Sequence, residues 1–159
     1  MAEHELTLTK EIAAAPEVVF RALTEPAELD RWWTTSAESE PRAGGAFDYR
    51  WEFSADAGRD DHRQSGAYDD VVANERVAYP WEAAGRTTKV EFTVMPSGAG
   101  ALLRLAHTGW GGGEEAAESA RMHGEGWGFF LDNLQAYLER GEDRRAEVMK
   151  LKTRATARA

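Results

Sequence analysis

The chain contains no cysteine, which excludes disulfide staples, thiolate catalysis and cysteine ligation of metals. It also lacks any run approaching the roughly 20 apolar residues that cross a bilayer. Its start, Met1-Ala2-Glu3-His4-Glu5, is acidic where a secretion signal is basic and then apolar, so the expected location is cytoplasmic. Basic residues are scarce: 19 Lys and Arg stand against 28 Asp and Glu, for a net charge of −9. A body this acidic repels a phosphate backbone, so nucleic acid is not an expected partner. The imbalance is uneven. Residues 141–159 hold six Lys or Arg and three acids, a net of +3, so residues 1–140 carry −12.

Motifs for common chemistries are missing too. The four histidines include no pair at the i, i+4 spacing of helical metal ligands, so no metal site is expected. Gly109-Trp110-Gly111-Gly112-Gly113 lacks the lysine of a phosphate loop, and Glu114-Glu115 follow where an anion would dock. No serine nucleophile elbow is present. No cofactor is expected, and no residue is assigned a catalytic role.

What is present is a globular pattern. The 159 residues, 42% hydrophobic and 30% charged, suit one domain. We set its boundary at residues 1–141, with 142–159 as a basic tail, either frayed or a short helix. Leu6, Leu8 and Ile12 alternate with polar residues, as in a half-buried strand. Pro16 and Pro26 each suit the first turn of a short helix. Phe47, Tyr49, Trp51 and Phe53 alternate with Asp48, Arg50 and Glu52, which gives one buried and one wet face. Residues 54–64 read as a polar loop, followed by strands over 66–72, 77–81, 89–95 and a last one carrying Leu103, Leu105 and His107. A helix of about 40 Å is predicted from Glu114 to Arg140, stopped by Gly141. Its apolar stripe is Ala116, Ala120, Trp127, Phe130, Leu131, Leu134 and Leu138. The expected fold class is α+β: a six-stranded antiparallel sheet wrapped around that helix, with two short helices after the first strand and an internal cavity.

Several motifs resemble a known family in the right order. They are Ile12-Ala13-Ala14-Ala15-Pro16-Glu17-Val18-Val19-Phe20-Arg21-Ala22-Leu23-Thr24, then Pro26 and Arg31-Trp32-Trp33. Gly44-Gly45, Gly66 with Tyr68, Glu75-Arg76-Val77 and Tyr79-x-Trp81 follow. Leu103-Arg104-Leu105-Ala106-His107-Thr108-Gly109-Trp110, Gly126-Trp127 and Leu131-Asp132-Asn133-Leu134 complete the set. Over roughly residues 5–140 the chain resembles bacterial relatives of the C-terminal domain of the activator of heat-shock protein 90 ATPase, within the START-like or SRPBCC superfamily. The resemblance implies a helix-grip architecture with a cavity between sheet and long helix. Members of the superfamily bind lipids, hormones or polyketides, cyclise polyketides, or bind chaperones, and share no invariant catalytic set.

Tyr49, Trp51, Trp81, Phe92, His107, His123, Trp127 and Leu131 are therefore the candidate cavity-lining residues, for a small, largely apolar or aromatic ligand. His107 and His123 could also serve a polyketide-cyclase-type enzyme as base, although a histidine satisfied by its neighbours is the plainer reading. His4 and His62 are expected to play no part. Of Asp69 and Asp70, neighbours on a strand, one could point inward and would then need a partner such as Arg104. Gly124, Gly126 and Gly128 cost helix stability, which suggests close approach by a strand. Phe129, on the helix face opposite the stripe, suggests a homodimer or another protein contact.

Overall fold

The computed structural model describes residues 4–153. The chain runs β1 (Leu6–Ile12), α1 (Pro16–Thr24), α2 (Pro26–Trp32), β2 (Ser36–Ser39), β3 (Ala46–Trp51), β4 (His62–Ala67), β5 (Asp70–Val72), β6 (Arg76–Ala83), β7 (Arg86–Ser97), β8 (Gly100–Thr108), α3 (Glu114–Arg140) and α4 (Arg145–Met149). Pro16 and Pro26 do open α1 and α2, where the missing N–H costs nothing. Helix α3 ends as its sequence predicts. Gly141 adopts a left-handed φ of 68°; its N–H reaches back to the Tyr137 carbonyl and the Glu142 N–H to that of Ala136.

The strands do not form the expected single sheet of six. They form a five-stranded antiparallel sheet, β1-β8-β7-β6-β5, and a three-stranded one, β2-β3-β4. The stretch 66–72, expected as one strand, is cut in two: β4 pairs with β3, and β5 pairs with β6. The backbone changes partner at the break: the Tyr68 N–H donates to the Gly45 carbonyl, and the Asp69 N–H to that of Ala78. Gln64 lies where a β4–β6 ladder would run, donating to the Glu82 carbonyl at 2.8 Å and accepting the Glu82 N–H at 2.9 Å. Pro80 of β6 has no N–H to offer there and lies against Gly66 of β4. Strand β2 carries no apolar alternation (Ser-Ala-Glu-Ser), and the sequence reading missed it.

One core fills the space between the sheets, α1–α2 and α3. Trp32, Tyr49, Tyr79, Leu103, Leu105 and Leu134 are each wholly buried in it. The helix stripe is placed as expected at Ala116, Ala120, Trp127, Leu131 and Leu134, and it also buries Asn133. The Asn133 amide bonds the Trp32 carbonyl at 2.9 Å, and its oxygen accepts the Arg144 N–H.

Residues 141–153 are not a frayed tail. Arg145 is 1% exposed. Its guanidinium donates to the carbonyls of Thr34 and Asp30 and pairs with Asp143 at 2.8 Å. Burial pushes the Asp143 carboxyl up, but the Arg145 hydrogen bonds and charge outweigh it and hold the group below its ordinary range. Leu151 bridges to Phe53, and the Lys152 N–H donates to the Glu52 carbonyl. The segment is a strap across the three-stranded sheet. Arg154 and Arg158 lie outside the described residues.

Candidate functional site

Tryptophans from four separate segments meet beside α3. Trp33 follows α2 with its backbone already out of helical conformation, which turns the indole toward the sheets. Its ring centroid lies 5.1 Å from Trp51, 5.4 Å from Trp127 and 5.9 Å from Trp81, and it is nearly parallel to Trp81. These four rings wall a cavity of about 420 Å³. Met122, His123, Gly126 and Phe130 of α3, Phe53 and Arg59 of the β3–β4 loop, His62 of β4 and Met149 of α4 complete it. The volume falls within the range of small-molecule sites. The opening exists partly because Gly126 has no side chain: a Cβ there would meet nothing within 4 Å.

This corrects the reading of the helix glycines. Only Gly124 is approached closely, with Leu6 of β1 3.2 Å from where its Cβ would stand. Gly126 faces the cavity, and Gly128 faces open space.

Trp51, Trp81, His123 and Trp127 line the cavity, whereas Tyr49, Phe92, His107 and Leu131 are buried in the packed core behind it. His107 is fully buried. Trp127 donates its indole N–H to Nδ1 at 3.1 Å, Nε2–H donates to Thr88 Oγ1 at 2.7 Å, and the Thr88 hydroxyl donates to the Trp81 carbonyl. Burial, reinforced by the His123 charge, lowers the His107 pKa to about 3. This chain of bonds fixes the neutral tautomer and ties β8, β7, β6 and α3 together.

His123 is satisfied as well. Its Nδ1–H donates to the Ser119 carbonyl at 2.8 Å, and Nε2 accepts the Trp81 indole N–H at 3.3 Å. His62, set aside in the sequence, stands on the rim with its ring 5.3 Å from Trp51. The Gln64 amide is oriented by its two bonds to Glu82, so its second hydrogen points to His62 Nε2 at 3.1 Å. The proton of neutral His62 is therefore on Nδ1. Partial burial and the His123 charge lower its pKa. The lone pair of each of these three histidines thus already accepts a neighbour's N–H.

Among the described residues no carboxylate lines the cavity. Asp69 is exposed, and Asp70 pairs with Arg76 at 2.6 Å outside it. Among the described residues no cluster of three or more His, Asp or Glu could hold a metal ion. Phe129 is half-buried, with its ring edge-on to Phe130.

The family model described as "Activator of Hsp90 ATPase homolog 1-like protein" matches residues 13–139. The chain belongs to that family. Solved relatives share its fold. Protein CV1439 from Chromobacterium violaceum is 26% identical with a TM-score of 0.68, over 85% of this chain and 97% of its own. MLL2253 from Mesorhizobium loti is 24% identical with a TM-score of 0.70, over 87% and 99%. The Aha1 dimer from Colwellia psychrerythraea, a solution structure, is 20% identical with a TM-score of 0.70, over 87% and 98%. No curated protein sequence matches the chain. The family match stops before the strap, so Met149 is a cavity residue that the matched region does not contain. No helix among the described residues is long and apolar enough to cross a membrane.

Of the lining residues that sequence reasoning passed over, Trp33 carried the best signal: a second tryptophan beside Trp32 cannot share its helical facing. Phe53 ended the alternating run and so shared the inward face, whereas Arg59 and Met149 lie in segments without apolar period, where the sequence holds no directional cue.

Proposed function

We propose that the protein binds a small, largely apolar ligand in the cavity between the three-stranded sheet and α3. The observation that carries this reading is the open space itself. Close-packed interiors leave few voids larger than a water molecule. Here four indoles frame an open-sided space of about 420 Å³, and one of the helix residues facing it, Gly126, has no side chain. Filling it with a side chain would have cost the fold nothing at Gly126, since no atom stands in the way. A ligand that covers the exposed apolar side chains at the mouth, Met122 foremost, gains apolar burial at roughly 25 cal/mol per Å².

Binding accounts for the site better than a cyclase-type reaction does. A general base needs a lone pair free to take a proton. Those of His62, His107 and His123 are engaged by Gln64, Trp127 and Trp81. The chaperone-contact reading rests on the family description alone.

Native mass spectrometry of protein purified without detergent from its own host tests the proposal. A co-purified small molecule, or a thermal shift with members of a lipid and aromatic library, is expected. Bare protein that no library member stabilises would count against it.

A further inference from the structure

We infer that the ligand is an aromatic acid, with its rings among the tryptophans and its anionic group at the rim formed by Arg59 and His62. The inference rests on the binding proposal above and specifies its chemistry.

The hydrogen-bonding groups of the lining that remain free share one polarity. The acceptors are taken: His123 Nε2 receives the Trp81 N–H, and His62 Nε2 receives the Gln64 amide. What remains are donors. The Trp51 indole N–H is buried with no acceptor among the described residues, on a ring that lines the cavity. His62 keeps its Nδ1–H. Arg59 forms no ion pair among the described residues; its guanidinium lies over the Phe53 ring, 5.4 Å from the centroid. The nearby acids are otherwise engaged: Asp56 pairs with Lys150 at 2.9 Å, and Asp61 accepts the Phe53 N–H. Asp60 makes no ion pair with Arg59 either. A lining whose spare polar capacity is all donor, with one fixed positive charge, fits an acceptor that carries negative charge.

Charge around the cavity also orients the ligand. Beyond Met122 and His123 lies a depression lined by Glu114, Glu115 and Glu118. An anion at that end would face three carboxylates. At the opposite rim it meets Arg59, in a protein whose net charge is −9. The body of the ligand is aromatic because the walls are ring faces and edges: Trp33 and Trp81 stack within 13° of parallel, while Trp51 stands edge-on to both. Flat rings match such walls in offset-stacked and edge-to-face contacts, which a flexible alkyl chain does not exploit.

Two fluorescent probes share one aromatic body and differ in charge: anilinonaphthalene sulfonate and neutral phenylnaphthylamine. Both are titrated into wild type and Arg59→Gln, with near-ultraviolet circular dichroism checking that each protein is folded. Arg59→Gln is expected to weaken the sulfonate about ten-fold more than it weakens phenylnaphthylamine, the scale of one charge-assisted hydrogen bond. Naphthoate is expected to displace the sulfonate at lower concentration than dodecanoate. Equal effects of the substitution on both probes, or dodecanoate as the better competitor, would overturn the aromatic-acid assignment while leaving the binding proposal intact. Folded wild type that binds neither probe would instead remove the binding proposal.

Discussion

At the scale of the residue, His107 and Trp127 show how one hydrogen bond can serve packing and specificity together. Trp127 is 4% exposed and packs against Trp33, Trp81 and Phe92, while its N–H is spent on His107. Truncation to alanine removes those contacts and strands the His107 acceptor. Trp127→Ala is expected to lose about 3–5 kcal/mol in urea unfolding, and a loss below about 1 kcal/mol would contradict this placement of α3. His107 also gives a pH dependence whose sign is fixed. Its folded pKa, about 3, lies below the ordinary 6.5. Below pH 6.5 the unfolded chain therefore takes up a proton that the folded protein refuses. Stability is unaffected above that pH and falls as pH drops through the window toward 3. Urea titrations should show about 2 kcal/mol lost from this histidine between pH 6.5 and pH 5, with His62, shifted in the same direction, adding to it. Asp48, held down to about 2 by Arg63 and Arg50, acts only at lower pH. His107→Gln should flatten the dependence, and an unchanged slope would mean that His107 is protonated in the folded protein.

At the scale of the element, the strap and the long helix depart from their sequence reading for opposite reasons. A basic segment rich in Arg and Lys has the composition of a solvated end. One of those arginines instead finds two buried backbone carbonyls and a partly exposed carboxylate, and no local pattern announces such a site. Arg145→Ala should therefore cost about 2–4 kcal/mol, chiefly because two buried carbonyls lose their partner. An exposed-tail arginine would cost within about 0.5 kcal/mol, so one chemical denaturation curve separates the two. In α3 the limits were legible because glycine caps are local chemistry. The meaning of its interior glycines was not, since helix propensity reports the cost of a glycine and not what stands opposite it.

At the scale of the whole molecule, the order of elements and the aromatic inner face followed from period and punctuation. Trp51 and Trp81 were placed inward by alternation alone, and both line the cavity. Alternation could not say which inward residues lie at the open end. Tyr49, two residues from Trp51 on the same face, is buried solid. Between the two sheets the Gln64 side chain bonds the Glu82 backbone where a ladder would otherwise run, which pattern reasoning has no means to detect. The account as a whole stands on the cavity being a binding site, and Gly126 is where that is tested most directly. Gly126→Leu projects a side chain into the open space from a position where a Cβ meets nothing within 4 Å. Helix propensity favours the change by about 1 kcal/mol, so the melting temperature should hold or rise. Phenylnaphthylamine titrated into both proteins should bind wild type and bind the variant at least about ten-fold more weakly. A folded Gly126→Leu protein that binds the dye as tightly as wild type would contradict the account, because the dye would then be held somewhere other than among these tryptophans.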